Sequence, residues 1–598
     1  MWQFLTPFRK RIETRHTLAR RNRRYRPHCK LLEDRCLLSV SLTPSRPPAP
    51  LVGSPVTWTA TASGDGTTPV YQFSVTPPGG ASQMVQDFSP SNSFTWDPMQ
   101  QGTYDIKVIV KDSFSASTGE SATASYTAKS RVVGTSAVIS PTANPLVALY
   151  SAPPSPGSSM YVQFSPRGPN PSWTSTAPLP IVPGKSTNFL VAGMLPNTTY
   201  LMRDVLNNGT VSAPLAFTTG SLPSNLAFPK FSVPQPPAPG TDLTQGTILH
   251  SGVGTGPLPA GTVTVLATGL RGKVVWYYDP VANKFQGYAT TLVPGGTVLI
   301  LGGTASGQGG ESAVREVDLA GDTLRETNVH AINAELAALG QDQILNINHE
   351  ALRLPNGDTA ILASNQRVID VKGTPTTYVG DMVIVLDKNF QVSWVWNAFD
   401  WLSTSRLPTN GEGPGDWLHA NSISYSPEDG DLLVSLRSQD WVIKIDYANG
   451  TGNGHVVWRL GQGGNFTIKA PPSVQSPWFS HQHDVTYIDD STILVFDDGN
   501  TRHLTNPHAD SRGQELVLNE KTMTATLVVN ADLGNYSAAL GSAQMLPNGN
   551  LAFTSGFLGT APNYYGQSIE VLPNGTKTYV QQMTGLEYRS YFMSNLYR

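Results

Sequence analysis

The segment RLPNGDTAIL, residues 353–362, places a Pro-Asn-Gly turn between two apolar runs, a pattern typical of a β-hairpin. The same pattern recurs four more times in the second half of the chain. Equivalent turn residues are separated by 61, 73, 61 and 58 residues, which indicates one repeated supersecondary unit. The other four turns lie in LVPGGTVLIL (292–301), YSPEDGDLLVS (425–435), YIDDSTILVF (487–496) and MLPNGNLAFT (545–554).

A second hairpin that carries tryptophan follows several of these turns, as in QVSWVWN with Trp394 and Trp396. Two hairpins per repeat give four strands, and four-stranded sheets repeated around an axis form a β-propeller. The five turns predict at least five blades. Joining the first and last strands of this region, VTVLATGLRGKVVWYYD and YRSYFMSNLY, would add a sixth blade and close the open edges. We predict a six-bladed propeller over residues 241–598, with an open solenoid as the alternative.

The composition also favours an all-β fold. Glycine and proline number 55 and 47, whereas charged residues make up only 14% of the chain. This balance suits short strands joined by turns better than long helices. A chain of 598 residues is too long for a single core, so we expect several domains.

Two β-sandwiches are expected before the propeller. Residues 41–129 alternate β-branched and aromatic runs between turns, and GTYDIKVIVKD within them resembles immunoglobulin-like or PKD-like modules. Residues 130–222 end in a pattern that resembles the closing hairpin of fibronectin type III domains. Neither holds a cluster of histidine or acidic residues, so we assign both to spacing or adhesion. A Pro-rich segment over 223–240 is expected to be a semi-rigid linker.

Residues 1–40 form a basic leader, with eleven Lys and Arg against three acidic residues. Its run LLEDRCLLS (31–39) resembles a short motif near the N-termini of bacterial surface and secreted proteins, and a disordered basic tail is the alternative reading. We expect a periplasmic or extracellular location. Positive charge on a leader rather than on a folded face does not indicate a nucleic-acid partner.

Two further absences limit the expectations for the body. No stretch reaches 18 consecutive apolar residues, so no membrane span is expected. Both cysteines, Cys29 and Cys36, lie in the leader, so the folded body has no disulfide to form.

Histidines fall at matching places in successive repeats. His349, His419 and His483 each lie a few residues before a turn of the repeating type. Equivalent positions in successive blades converge at one end of the propeller axis, so we expect the three imidazoles to share a pocket. Asn421 lies two residues after His419, and Arg437 lies one hairpin later. These residues are the candidate site.

The block DWLHANSISYSPEDGDLLVSLRSQDWVIKID (416–446), followed by VVWRLG, QHDV, FDDGN, SRGQELVLNE and LPNGN, resembles the bacterial arylsulfate sulfotransferases. The resemblance covers residues 240–598. It implies a six-bladed propeller that moves a sulfuryl group from an aryl sulfate to a phenolic acceptor. The transfer would pass through a sulfated histidine and would need no nucleotide donor such as PAPS, no cofactor and no metal.

The resemblance also implies roles for individual residues. The histidine of the QHD motif would be the nucleophile, and a hydroxyl residue of the last blade would contact the sulfuryl group. By motif match the catalytic residues are His483, His349, His419 and Arg437, and the substrate-binding residues are Asn421 and Ser542, with Ser537 as the alternative to Ser542.

Elementary chemistry supports the same roles. Sulfuryl transfer resembles phosphoryl transfer, in which catalysis is largely positioning and charge stabilisation. A guanidinium at Arg437 can grip two sulfuryl oxygens at once. His483 attacks only as neutral imidazole, and we expect the charge of Arg437 to lower its pKa. His349 and His419 would exchange protons with the leaving and accepting phenols, in an order that stays open.

Two other functions compete with this one. His349, His419, His481 and His483 could instead hold Zn²⁺ or Fe²⁺ in a metalloenzyme. A catalytically silent surface propeller that binds glycans or proteins is the second alternative. The oligomeric state is open, with a homodimer as one expectation, and the role of His481 is open as well.

Overall fold

The computed structural model describes residues 39–63, 68–113, 119–303 and 312–597. These residues form sheets that are antiparallel except for the pairing of Thr467–Lys469 with residues 524–526, together with three short α-helices, so the all-β class is confirmed. The expected leader lies outside the described residues except for its last two positions, and so do Cys29 and Cys36. Within the described ranges no helix is long and apolar enough to cross a bilayer.

The first unit consists of two facing sheets. One has the strand order β1-β2-β5 and the other β4-β3-β6-β7. Alternate residues of each strand point inward, so that Trp58, Phe73, Ile106 and Tyr126 pack into one apolar cluster between the sheets. The strands are β1 (Ser39–Pro44), β2 (Val56–Ser63), β3 (Pro69–Thr76), β4 (Gln83–Ser89), β5 (Ser93–Trp96), β6 (Gly102–Asp112) and β7 (Glu120–Ala128).

The second unit has the same two-layer plan. Its strands are β8 (Val138–Pro141), β9 (Ala148–Ala152), β10 (Ser159–Pro166), β11 (Thr174–Ser175), β12 (Leu179–Pro180), β13 (Thr187–Val191), β14 (Thr199–Leu206) and β15 (Leu215–Thr218). One sheet has the order β13-β9-β8 and the other β11-β10-β14-β15, with β12 also pairing with β10. Phe164, Phe189 and Tyr200 belong to its core, which continues into the next part of the chain.

The remaining residues form six sheets, built from 26 strands and three helices. The first half of this region contains β16 (Phe231–Gln235), β17 (Thr247–Val253), β18 (Val265–Gly269), β19 (Val274–Tyr277), β20 (Gln286–Val293), β21 (Thr297–Gly303), β22 (Ser312–Asp318), β23 (Thr323–Asn328), α1 (Val329–Ala338), β24 (Ile344–Arg353), β25 (Thr359–Val371), β26 (Thr374–Leu386), β27 (Val392–Asn397) and α2 (Ala398–Trp401).

The second half contains β28 (Ala420–Tyr425), β29 (Leu432–Leu436), β30 (Trp441–Ile445), β31 (Val456–Gly461), β32 (Thr467–Lys469), β33 (His483–Tyr487), β34 (Thr492–Asp497), α3 (Asn500–Thr505), β35 (Arg512–Asn519), β36 (Thr524–Asp532), β37 (Gly541–Met545), β38 (Leu551–Leu558), β39 (Tyr565–Val571), β40 (Lys577–Thr584) and β41 (Leu586–Met593).

Four of the six sheets follow one another along the chain. Their orders are β20-β21-β22-β23, β24-β25-β26-β27, β28-β29-β30-β31 and β32-β36-β35-β34-β33. The fifth, β16-β40-β39-β38-β37, takes its edge strand from the start of the region, and the sixth, β19-β18-β17-β41, takes its last strand from the end. The expectation that both ends of the region share one sheet is therefore confirmed.

The first strands of successive sheets contact one another. β20 touches β24, β24 touches β28, β28 touches β33, and β33 touches β37. The C-terminal strand β41 contacts both β37 and β20. One set of inner strands thus links all six sheets, and residues near the ends of these strands come close together.

The Pro-rich segment over 223–240 is not only a linker. Residues Phe231–Gln235 form β16, which pairs with β40 from Phe231 opposite Met583 to Gln235 opposite Val580. Pro234 is tolerated there because an edge strand does not need every backbone N–H for pairing. The prediction of a linker over 223–240 is therefore wrong for residues 231–235, which add a fifth strand to one sheet.

The second unit is fixed to the sheet of β17 to β19. The hydroxyl of Tyr597 donates to the Leu190 carbonyl at 3.0 Å and accepts from the Ala192 N–H at 2.7 Å. Asn144 donates from Nδ2 to the Tyr277 carbonyl at 3.0 Å. A continuous apolar cluster joins the two parts, so they pack as one body.

We expect Phe592→Ala to destabilise the six-sheet region. Phe592 on β41 is buried against Ile248, Leu546 and Tyr579, which come from two different sheets. Truncation of such a ring costs about 3–5 kcal/mol because a cavity remains. A lower midpoint temperature of the unfolding transition measures this loss. Leu504→Ala is the control, since Leu504 is 70% exposed. Equal midpoints for the two variants would contradict the packing described.

Candidate active site

The histidines of the candidate site lie on the inner strands of three neighbouring sheets. His349 is in β24, His419 directly precedes β28, and His483 is the first residue of β33. Because β24 contacts β28 and β28 contacts β33, these imidazoles are brought together. The ring centroids of His349 and His419 are 4.9 Å apart.

Irregular backbone aims these side chains. His349 and His419 have φ values of 57° and 53°, and Asp484, next to His483, has 49°. The strand register shifts at each of these places, as it does in a β-bulge. A left-handed conformation in a non-glycine residue costs on the order of 1 kcal/mol. Such strain is typical of sites where side-chain direction matters more than regular pairing.

His483 is held by a buried carboxylate. Its Nδ1 lies 2.7 Å from Oδ2 of Asp498, and both side chains are almost completely buried. The Leu540 backbone N–H approaches Nε2 at 3.4 Å. Since Asp498 engages Nδ1 at 2.7 Å and the Leu540 N–H donates to Nε2 only at 3.4 Å, Nε2 is the ring nitrogen more available for chemistry.

Burial lowers the pKa of His483 well below its usual range, and the positive charge of Arg437 lowers it further. The expected direction is therefore confirmed, with burial as the larger cause. Burial has the opposite effect on the carboxyl partner: it raises the pKa of Asp498, while the Arg437 charge opposes this rise.

The side chain of Arg437 makes only long polar contacts with the described residues. The residue begins a short 3-10 turn, Arg437–Gln439, directly after β29. Its Nη1 lies 3.5 Å from Oε1 of Glu412, and its Nη2 donates to the Ala538 carbonyl at 3.5 Å. Nε is buried and has no hydrogen-bond partner among the described residues. A guanidinium that is 12% exposed and so weakly paired is ready to bind an anion.

His349 and His419 have different partners. Nδ1 of His349 lies 2.8 Å from the Tyr588 hydroxyl, and burial, with the nearby charges of His419 and Arg589, lowers the pKa of His349 well below its usual range. Nδ1 of His419 lies 2.7 Å from Oδ1 of Asp416. Burial would raise the pKa of Asp416, but the hydrogen bond from His419 and neighbouring positive charges lower it to about 2. An ionised carboxylate therefore accompanies His419.

His481 acquires partners that the sequence did not suggest. Its Nε2 lies 2.9 Å from Oε1 of Glu412 and its Nδ1 3.0 Å from Oδ1 of Asp440. Although burial opposes the change, these two carboxylates raise the pKa of His481. The same contacts, with the charge of Arg437, lower the pKa of Glu412 to about 2 against the effect of burial. His481 thus lies between Asp440 and Glu412, and Glu412 in turn faces Arg437, so the four groups form one row of alternating charges.

The two predicted substrate-binding residues differ in their surroundings. Asn421 is buried, donates from Nδ2 to the Gln482 carbonyl at 2.8 Å, and leaves Oδ1 without a partner in the described part of the chain. It thereby steadies the turn that carries His483. The hydroxyl of Ser542 is instead used between two neighbouring sheets: it meets Thr554 of its own sheet at 2.7 Å and donates to the Ser590 carbonyl on β41 at 2.9 Å.

The hydroxyl of Ser537, the alternative to Ser542, also has a nearby partner: it donates to the Ala539 carbonyl at 2.7 Å. From this last part of the chain it is the Leu540 N–H that reaches His483, at 3.4 Å.

Several residues of the site were missed. Asp498 lies within the FDDGN motif that carries the family resemblance, and a carboxylate directly after a buried strand is the signal that could have found it. Asp416 likewise opens the block 416–446 that carries the resemblance, whereas Glu412, Tyr588 and Arg589 have no comparable signal. Among the described residues, no group of three or more His, Cys, Asp or Glu is arranged as metal ligands are.

A buried neutral imidazole beside a weakly paired guanidinium defines an enzyme site that handles an anionic group. A family model described as Arylsulfotransferase (ASST) matches residues 261–592, more than half of the chain. The chain belongs to this family. Membership supports an arylsulfotransferase enzyme with small-molecule substrates.

Other comparisons add little. No curated protein matches this chain. Similar solved structures include a two fibronectin type-III domain segment from chicken tenascin, with 18% identity over 31% of this chain and 97% of that chain and a TM-score of 0.13. Purple acid phosphatase PPD1 from yellow lupin seeds shows 12% identity over 32% and 43%, with a TM-score of 0.15. Such scores are far below those of a shared overall fold.

We expect the three buried histidines to differ in protonation at pH 6.5. Burial and positive neighbours lower the pKa of His349 and His483, so their rings should be neutral, whereas the carboxylates around His481 should keep it protonated. Imidazole ¹⁵N chemical shifts of histidine-labelled protein measure this, with His481→Gln and His483→Asn used for assignment. A doubly protonated His483 ring at this pH would contradict the electrostatics described.

Proposed function

We propose that this protein is an arylsulfate sulfotransferase that moves a sulfuryl group from an aryl sulfate to a phenolic acceptor through a sulfohistidine at His483, without PAPS. The observation that carries the proposal is the pairing of a buried imidazole, its Nδ1 engaged by Asp498, with a guanidinium that lacks strong partners. The first supplies a nucleophile and the second supplies an anchor for the sulfuryl oxygens. Family membership points to the same chemistry.

In the first half-reaction, Nε2 of His483 attacks the sulfur of the donor. The S–N bond forms as the S–O bond to the aryl group breaks, and the electron pair leaves with the phenolate. Arg437 binds the non-bridging oxygens, on which charge is concentrated in a loose transition state. Asp498 stabilises the positive charge that develops on the sulfated ring, in the way that a carboxylate supports a catalytic histidine.

In the second half-reaction, the acceptor phenol loses its proton and its oxygen attacks the sulfur. The S–N bond breaks and returns neutral His483, so the two halves form a ping-pong cycle. We assign the proton exchange to His419, because its ionised partner Asp416 can support a protonated ring. His349 is neutral and bound to Tyr588, which suits a donor that orients the sulfuryl group.

We also propose that the six sheets are the blades of a propeller with the site at one end of its axis. Two observations support it: inner strands of successive sheets contact one another, and β41 pairs with β17 while touching both β37 and β20. The two preceding sandwich units would then act as spacers, and the periplasm or the cell exterior is the proposed location.

Turnover of p-nitrophenyl sulfate tests the proposed function. We expect release of p-nitrophenol that depends on an added phenol, with the sulfated phenol as second product. His483→Asn should abolish release because the amide cannot form the intermediate. His508→Asn is the matched control, since His508 is exposed and lies outside the site. Acceptor-independent release into water would indicate a sulfatase instead, and absence of release with any phenol would contradict the proposal.

The variant Arg437→Lys tests whether Arg437 acts through its bidentate guanidinium or only through its positive charge. Lysine keeps the charge but loses the bidentate fork, so we expect kcat to fall by about 10² to 10³ while the protein stays folded. Initial rates at saturating donor measure this effect. Arg271→Lys, at an exposed position, is the control. A kcat of Arg437→Lys equal to that of the control would contradict the role of Arg437 as the anchor.

A further inference from the structure

A second buried guanidinium lies among the histidine-bearing strands. Arg589 is on the C-terminal strand β41, and its side chain is only 2% exposed. Its Nη1 donates to Oε2 of Glu350, and its Nη2 donates to the Asn421 backbone carbonyl at 2.6 Å. Nη1 also lies 3.5 Å from Oδ1 of Asp484. One side chain therefore reaches the strands β24, β28 and β33.

The partners of Arg589 lie next to the site histidines in the sequence. Glu350 directly follows His349, and Asp484 directly follows His483. Asn421 lies two residues after His419. Arg589 thus contacts a residue one or two positions after each of the three site histidines, through the side chains of Glu350 and Asp484 and the backbone carbonyl of Asn421, where the strand register shifts.

We propose that Arg589 is a positioning residue that ties the three histidine-bearing strands together and supplies a fixed positive charge beside their imidazoles. It does not touch the reacting group. The inference rests on the proposed function for its effect on turnover, but its effect on the histidines themselves is independent of that function.

Charge balance explains why an arginine is needed. Glu350 and Asp484 are both buried, and the guanidinium of Arg589 is the positive charge that lies within ion-pair distance of both. Burial raises the pKa of Glu350, and the charge of Arg589 opposes that rise. The network is closed by the Tyr591 hydroxyl, which donates to Oδ2 of Asp484 at 3.2 Å, and by the Ala543 N–H, which donates to the same oxygen at 3.0 Å.

The same positive charge acts on the rings. Burial is the largest cause that lowers the pKa of His349 and His483, and Arg589 is among the charged groups that lower it further. The groups that face these two rings are Asp498, Arg437, His419, Asp416, Tyr588 and Arg589, with Glu350 and Asp484 adjacent in sequence. Loss of the Arg589 charge leaves two buried carboxylates uncompensated, which favours protonated imidazole.

Two variants of the full chain separate charge from positioning. In Arg589→Met the acid limb of the kcat/KM profile should move to higher pH by at least about one unit, because His483 gains a proton more readily. In Arg589→Lys the charge remains but the contacts to three strands do not, so the limb should stay in place while kcat falls at least about tenfold. Arg315→Met is the matched control, since Arg315 is also buried and paired, with Glu326 and Tyr278, away from the histidines.

Imidazole ¹⁵N titration of the same proteins gives a readout that needs no turnover. His349 and His483 should gain protons at higher pH in Arg589→Met than in wild type. This shift together with inactive wild-type protein would support the inference and reject the proposed function. Unchanged titration and an unchanged acid limb in Arg589→Met would overturn the inference. If Arg589→Met does not fold, the inference is tested with Arg589→Lys alone. A kcat equal to that of wild type would overturn the inference, and a reduced kcat with an unchanged acid limb would support it.

Discussion

The antiparallel pairing of β41 with β17 is the contact on which the rest of the six-sheet region depends. It runs from Thr247 opposite Met593 to Val253 opposite Leu586, and it joins residues at the two ends of the region. Without it β17 would be an open edge, and β37 and β20 would lose the strand that lies between them. Because the same strand carries Tyr588 and Arg589, the pairing that joins the two ends of the region also places these two side chains at the site.

The site contains several charged groups that are buried. Arg437 and Arg589 place positive charge near His349 and His483, whose pKa values burial lowers, while carboxylate partners raise the pKa of His481. Carboxylates balance the outer groups: Glu412 and Asp440 flank His481, and Glu350 and Asp484 flank Arg589. Arg437 is the group left under-paired. In a low-dielectric site this imbalance favours an incoming sulfate ester, whose oxygens can complete the hydrogen bonds that the chain does not supply.

Much of this arrangement could be predicted from local pattern. Turn residues between apolar runs mark the hairpins, and Asn328 is a residue type typical of the N-cap position that it takes in α1. The repeat of histidines before successive turns predicts that His349, His419 and His483 lie near one another, and the rings of His349 and His419 are 4.9 Å apart. These features depend on a few neighbouring residues, which is why a sequence reveals them.

Features that depend on distant partners could not be predicted. His481 finds Glu412 in a loop 69 residues away, and Arg589 finds Glu350 at a separation of 239. The hydroxyl of Ser542 is used by Thr554 of its own sheet and by the Ser590 carbonyl of the neighbouring sheet. No pattern in the segment around residue 542 shows this, and none shows that the segment over 223–240 would pair with β40.

The central claim is that Nε2 of His483 carries the sulfuryl group between donor and acceptor. The most direct measurement is rapid mixing of the protein with an aryl sulfate in the absence of acceptor, followed by alkaline quenching and peptide mass analysis. The account expects one sulfuryl group on the peptide that contains His483, lost when a phenol is added before quenching. A sulfuryl group on a tyrosine or serine, or an unmodified His483 peptide while p-nitrophenol is released in a burst, would contradict it.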